Sequence, residues 1–173
     1  MPAPPSCAAL VGRVLPYFSY YEKYSVKQNE TDLAMTDPAK LTTTFPIEWG
    51  DCDAAGIVFY PNYFRWFDAG FQRLLKTRGQ TQATLKATYG ILGTALVDAA
   101  ATFRSPARYD QTLTLVVAIT EWRRATFRVG YQGMIDGRPV IDGHDVRAFV
   151  KADAEGVLSA MPIPKEFRAL FEP

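Results

Sequence analysis

Apolar positions along residues 41–173 switch between two periods. Residues 42–49, Thr42-Thr43-Thr44-Phe45-Pro46-Ile47-Glu48-Trp49, mix β-branched and aromatic side chains in rough alternation and predict a first strand. Gly50-Asp51-Cys52-Asp53-Ala54-Ala55-Gly56 breaks that pattern with turn formers, and Ile57-Val58-Phe59-Tyr60 follows as a short apolar run. Pro61 and Asn62 then open a helix, because a proline at the first helical position gives up an N–H that would have no intrahelical partner. Over residues 63–78 the apolar side chains of Tyr63, Phe64, Trp66, Phe67, Phe71, Leu74 and Leu75 recur every three or four positions, and Gly79 is the expected stop. The apolar surface runs so far round this helix that burial on most sides is predicted.

After a weaker helical or irregular stretch at 81–89, the period returns to two. Residues 94–103, 111–122, 126–135 and 140–150 read as strands, and Asp136-Gly137 is a hairpin-turn signal between the third and fourth of these. Residues 157–161 suggest a short edge strand and 165–171 a last helical turn. One strand, one dominant helix and about four long strands joined by short connections make an α+β layer arrangement, a helix against an antiparallel sheet of five or six strands.

Residues 1–40 have a different character. Pro2, Pro4, Pro5 and Pro16 punctuate them, and the aromatic cluster Tyr17-Phe18-Ser19-Tyr20-Tyr21 precedes a polar run. They are expected to form an N-terminal extension, either an accessory arm or a stretch upstream of a start near Met35, with the folded domain at 41–173. The segment lacks a basic n-region, and Gly12 and Arg13 interrupt its apolar stretch, so a secretory signal is not expected. No run approaches the roughly 18 apolar residues of a membrane span, and a cytoplasmic protein is expected.

Charge and composition narrow the chemistry. In 173 residues, 19 Lys and Arg balance 18 Asp and Glu, which removes the global basic field that draws proteins to nucleic acid. Cys7 and Cys52 are far apart and form no CxxC or Cys/His ladder, so no metal site is expected. The chain has one histidine, His144, and no GxSxG elbow, which directs attention to carboxylates as reactive groups.

The segment from Gly50 to Tyr63 places acidic side chains in a tight turn just before a helix N-terminus. The backbone donors available there are those of Tyr60, Asn62 and Tyr63, with the positive end of the helix dipole behind them. A carboxylate on one side of an electrophilic carbonyl and an N–H on the other are the two parts of an acyl-transfer site, and such a donor alone is worth on the order of 100- to 1000-fold.

This segment, Gly50-Asp51-Cys52-Asp53-Ala54-Ala55-Gly56-Ile57-Val58-Phe59-Tyr60-Pro61-Asn62-Tyr63, resembles the signature of the hotdog-fold acyl-CoA thioesterases, the 4-hydroxybenzoyl-CoA thioesterase branch in particular. The resemblance extends through Arg65-Trp66, Asp68-Ala69, Gly90-Ile91-Leu92-Gly93-Thr94 and Glu121-Trp122-Arg123-Arg124, and so covers about residues 42–165. It implies a hotdog fold, a long central helix wrapped by the sheet, and hydrolysis of an acyl-CoA thioester to an acid and free coenzyme A. It implies Asp53 as the catalytic carboxylate, nucleophile or base, and the Tyr60 N–H as the donor to the thioester oxygen. Asp68 and Thr94 match positions near an acyl ring, Arg123 and Arg124 a basic patch for the nucleotide end of coenzyme A. The basic residue expected next is Ala125, leaving Arg104, Arg128 or Lys151 to supply further charge, and Ala54 replaces a proline common in the branch. No cofactor is implied beyond the coenzyme A of the substrate, and a homodimer or homotetramer is implied. The acyl group is expected to be aromatic, hydroxybenzoyl among the candidates, with short-chain aliphatic esters and a non-hydrolytic acyl-CoA-binding module as alternatives.

The residues taken alone permit plainer roles. Asp53 is suited to closing an Asx turn, and Asp51 to a structural part beside it. Asp68 has Arg65 and Gln72 about one turn away as partners, although it lies beside Phe64 and Phe71, where an acid needs one. Arg123 and Arg124, if in a strand, point to opposite faces unless a bulge intervenes. His144 beside Asp145 reads as a surface strand, and Cys52 between two acids as a spectator.

Overall fold

The structure, a computed structural model, describes residues 37–172, so the expectations for residues 1–36 lie outside the described residues. The elements run β1 (Lys40–Pro46), α1 (Pro61–Thr77), α2 (Gln82–Tyr89), β2 (Gly93–Phe103), β3 (Thr112–Trp122), β4 (Thr126–Ile135), β5 (Arg138–Ala152), β6 (Leu158–Ala160) and α3 (Lys165–Ala169). The strands form one antiparallel sheet in the order β1-β3-β4-β5-β2, with β6 paired to the end of β5. The expected α+β class and six-stranded sheet are both present.

Helix α1 lies against the concave face of this sheet. Its buried residues are Tyr63, Trp66, Phe67, Gly70, Phe71, Leu74 and Leu75, a stripe at alternating three- and one-residue steps. Burial of each large side chain contributes roughly 1.5–3 kcal/mol, so this stripe dominates the docking of the helix. The sheet grips that one face, while Arg65, Asp68, Arg73 and Lys76 remain exposed on the other. The expectation of burial on most sides overreached, because Phe64, which widened the apolar arc, is only half-buried.

Close approach of helix and sheet depends on Gly143. A Cβ there would fall 2.4 Å from Cε2 of Phe67, so any side chain at position 143 would push α1 outward. The space admits the Phe67 ring, which stacks on Tyr131 of β4 at 4.3 Å between centroids and 2° between planes. At the other end of the sheet Phe167 and Phe171, in and just after α3, close the core over Trp122, Phe127 and Phe149.

The weak stretch at 81–89 is helical because it is capped. Thr81 Oγ1 accepts from the Thr84 N–H at 3.1 Å, Thr84 Oγ1 accepts from the Thr81 N–H at 2.8 Å, and Gly90 ends the helix at φ +66°. The hairpin read at Asp136-Gly137 is present, both residues at positive φ between the paired Ile135 and Arg138. Arg123 and Arg124, by contrast, are not in a strand. They sit in the connection between β3 and β4, closed by the Arg123 N–H donating to the Thr126 carbonyl at 2.8 Å.

Strand β2 is the outer edge of the sheet. Most of its length is exposed, Leu96, Val97 and Phe103 included, and its register with β5 shifts between Leu96 and Asp98. Among the described residues no helix is long and apolar enough to cross a membrane.

Candidate active site

The loop before α1 is a miniature hairpin. Cys52 bridges Val58, the Asp53 N–H donates to the Ile57 carbonyl at 2.9 Å, and the Gly56 N–H returns to the Asp53 carbonyl at 2.9 Å. Gly56 takes φ +70°, which any side chain would resist, and so lets the chain reverse within five residues. Asp51 ties the loop down. Its buried carboxylate accepts from the Glu48 N–H at 2.9 Å and from Arg65 Nη2 at 2.5 Å, and its carbonyl accepts from the Phe59 N–H and from Asn62 Nδ2. The structural role expected of Asp51 is thus what its contacts give.

Asp53 is exposed on that hairpin. One carboxylate oxygen accepts from the Ala55 N–H at 2.8 Å, so the Asx-turn reading is realised, and the other oxygen meets no partner among the described residues. The two readings are compatible: a carboxylate pinned by one oxygen has its second oxygen aimed rather than tumbling.

The N-terminus of α1 offers fewer donors than the sequence suggested. The Asn62 N–H turns back to the Phe59 carbonyl at 3.0 Å and the Tyr63 N–H to the Tyr60 carbonyl at 3.2 Å. Pro61 has no N–H, which leaves Tyr60, the cap residue, whose N–H meets no acceptor among the described residues. It points out of the positive end of a 17-residue helix, where negative charge is favoured. Just inside, Tyr63 remains a neutral phenol. Burial, reinforced by the Cys52 thiol, pushes its pKa up to about 12 against the opposing pull of the Ala107 backbone and Arg138.

Asp68 is two turns further along α1, roughly 12 Å beyond Tyr60 by the helical rise. Neither of its expected helix partners holds it: Arg65 is committed to Asp51, and Gln72 accepts from Gln82 at 3.2 Å. Its partner is Arg147 of β5, whose Nη2 donates to Asp68 Oδ1 at 2.9 Å. The two line a hollow of about 170 Å³, whose walls include Phe64, Phe67, Leu96 and Ala99. This hollow opens beside the edge strand β2.

Thr94 is buried at the start of β2 and does not line the hollow. Gln82 holds it twice, Nε2 donating to Thr94 Oγ1 at 2.9 Å and Oε1 accepting from the Thr94 N–H at 3.1 Å. Arg123 and Arg124 are both exposed. Arg123 pairs with Glu121 at 2.7 Å, whereas the Arg124 side chain has no ion pair among the described residues. Of the basic residues considered in place of a third, Arg104 is held by Asp142 at 2.6 Å. Within one chain, then, the candidate residues fall into four groups: Asp53 with Tyr60, Asp68 with its hollow, Thr94 with Gln82, and the arginines.

Sequence reasoning missed Arg147, Asp145 and Tyr131. His144 is half-exposed as expected, with Nε2 3.3 Å from Asp98 Oδ2, but its neighbour Asp145 is buried and faces the core. The signal was present: Ile141, Gly143, Asp145, Arg147 and Phe149 share one face of β5 at period two, which puts two charges in an otherwise apolar row.

A long helix held in the concave face of a six-stranded antiparallel sheet, with a carboxylate-bearing loop leading into its N-terminus, is the hotdog fold of thioester hydrolases. Residues 47–171 match the family model of the thioesterase-like superfamily, and the chain belongs to that family. It is 36% identical over 129 residues, 70% of this chain and 89% of the relative, to the 4-hydroxybenzoyl-CoA thioesterase of Pseudomonas sp. strain CBS-3. The crystal structure of a mutant 4-hydroxybenzoyl CoA thioesterase complexed with 4-hydroxybenzoyl CoA is similar at a TM-score of 0.70 and 34% identity, over 78% of this chain and 99% of that one. A gentisyl-coenzyme A thioesterase is similar at a TM-score of 0.64 and 30% identity, over 76% and 98%.

Proposed function

We propose that this thioester hydrolase acts on an aromatic acyl-CoA, a hydroxybenzoyl ester in the first place, releasing the acid and free coenzyme A. The observation that carries the proposal is the Tyr60 N–H at the N-terminus of α1, which among the described residues has no partner, on the same anchored loop that presents Asp53 with one oxygen likewise unengaged by them. The thioester oxygen sits on the Tyr60 N–H and gains negative charge as the carbonyl carbon is attacked. Asp53 either attacks that carbon itself, forming an anhydride that water then opens, or removes a proton from the attacking water; in both routes the thiolate leaves and is protonated. Asp68 and Thr94 are assigned to the acyl ring, and Arg123 and Arg124 to the phosphates of coenzyme A, Arg124 foremost because it has no ion pair among the described residues. The relatives that act on 4-hydroxybenzoyl and gentisyl esters support the aromatic class.

The working unit of this reading is a homodimer, or a homotetramer made of two, joined along β2. Among the described residues that strand presents an unpaired edge with exposed Leu96 and Val97, a surface that pairs with another strand unless it is blocked. A partner there covers the hollow beside Asp68. The hotdog domain is assigned to 41–173, residues 1–40 to an extension, the protein to the cytoplasm, and no cofactor is required beyond the substrate's own coenzyme A.

The test is thiol release from a panel of aromatic and aliphatic acyl-CoA esters by the wild type and by Asp53→Asn. Turnover of aromatic esters that falls by roughly 100-fold or more in the variant is expected. Binding of acyl-CoA without turnover of any ester overturns the proposal, and undiminished turnover by the variant removes Asp53 from it.

A further inference from the structure

Two ionised side chains on the core face of β5 need a reason, because burying charge is costly even when it is paired. Asp145 and Arg147 are each 5% exposed at the side chain. Asp145 Oδ2 accepts from Arg147 Nη2 at 2.7 Å and from the Tyr131 hydroxyl at 2.7 Å, and both its oxygens accept from Arg147 Nε at 3.2 Å. The guanidinium lies over the ring of Phe71, 4.3 Å from its centroid. These contacts hold Arg147 in place, and it makes one more. The same Nη2 donates to Asp68 Oδ1 at 2.9 Å, and Asp68 is 56% exposed at the wall of the hollow.

The charge balance shows which way this arrangement works. One guanidinium stands against two carboxylates, and Asp145, itself held by the Tyr131 hydroxyl, already balances it inside the core. Burial opposes the charge on Arg147, but its hydrogen bonds to Asp145, and then the charges around it, hold its pKa above the ordinary value. The surplus negative charge is on Asp68, at the surface of the hollow. Arg65 and Gln72, the neighbours on α1 within reach of the side chain, are engaged with Asp51 and Gln82.

We propose that Arg147, braced by Asp145 and Tyr131, is a positioning residue that fixes Asp68 by one oxygen and turns the other into the hollow, so that the site selects acyl rings bearing a hydrogen-bond donor. The inference rests on the aromatic acyl-CoA reading above and adds to it the device that sets ring preference. An ionised carboxylate only accepts, so it rewards a phenolic hydroxyl, gives nothing to a bare ring and repels a second carboxylate. Without Arg147 the Asp68 side chain has no fixed direction on an exposed helix face.

The experiment compares kcat/KM for 4-hydroxybenzoyl-CoA and benzoyl-CoA in the wild type, Arg147→Lys, and the double variant Arg147→Gln with Asp145→Asn. Lysine keeps the charge but lacks the fork that reaches both carboxylates. The double variant removes both buried charges together, so neither is stranded should Arg147→Lys fail to fold. The expected result is a wild type that prefers the hydroxylated ester, with that preference falling roughly 10- to 100-fold in the double variant and less in Arg147→Lys. Equal losses on the two esters would mean a merely structural role and overturn the inference, as would an unchanged preference. A wild type that hydrolyses both esters without preference overturns the inference alone; one that hydrolyses neither overturns it together with the reading beneath it.

Discussion

Asp51 and Arg65 form a 2.5 Å ion pair that joins the Asp53 loop to the second turn of α1. The two ends of the pair are unequal. Asp51 is nearly buried and also caps the Glu48 N–H, whereas the Arg65 side chain is 63% exposed. Exposed ion pairs contribute about 0–1 kcal/mol, but an unpaired half-buried N–H costs about 1–3 kcal/mol. Asp51→Ala is therefore expected to lower stability by about 1–3 kcal/mol and Arg65→Ala by less than about 1 kcal/mol, as read by urea unfolding. Thioester turnover is expected to fall further in Asp51→Ala, because that loop presents Asp53.

Arg124 and Arg123 differ in what they have to offer an anion. Arg123 is partly neutralised by Glu121, while Arg124 has no such partner among the described residues. Arg124→Ala is expected to raise KM for an acyl-CoA by roughly fivefold at most, the scale of one exposed charge contact, and Arg123→Ala by less. Steady-state kinetics with the matching acyl-pantetheine, which lacks the nucleotide phosphates, provides the control, and there neither variant should change KM.

Strand β2 carries the assembly prediction. A lysine on an exposed edge blocks edge-to-edge pairing, so Val97→Lys is expected to shift the protein from dimer or tetramer mass toward monomer mass in light scattering. Turnover should fall with it, as the hollow lined by Leu96 and Ala99 loses its cover.

Two buried phenols set the alkaline limit. Burial raises the pKa of Tyr63 to about 12, and burial followed by the Asp145 charge raises that of Tyr131 further, against the pull of Arg147. In the unfolded chain both ionise near pH 10, so above that pH the folded state holds more protons than the unfolded one and stability falls as pH rises. The contribution is present in full below pH 10, and for Tyr63 about 2 kcal/mol is lost by pH 12. Denaturant unfolding at pH 8, 10 and 11 should show the decline, and tyrosinate absorbance from Tyr131 should appear only with global unfolding. Tyr63→Phe is expected to flatten the profile.

Much of the fold was legible because it is written in local chemistry. Pro61 marks the start of α1, the Tyr63 to Leu75 stripe its buried face, and Asp136-Gly137 the β4–β5 turn, each of which depends only on side chains within a few residues. Boundaries drifted where a local hydrogen bond competed with the strand pattern. Strand β1 ends at Pro46, before Trp49, because Glu48 and Asp51 cap each other and fold Trp49–Asp51 into a 3-10 turn.

By itself the sequence determined the layer architecture, the helix that fills it, and the Gly50 to Tyr63 segment that carries the family's chemistry. It did so because periodicity, turn formers and a contiguous motif are short-range properties. The tertiary structure alone decided which N–H at the head of α1 is free, since that depends on which carbonyls come within reach of Asn62 and Tyr63. It alone decided the partner of Asp68 as well. Arg147 is 79 residues away in the chain and meets Asp68 only because Gly143 lets α1 settle onto β5. A contact of that kind is a property of packed surfaces, and no local pattern encodes it.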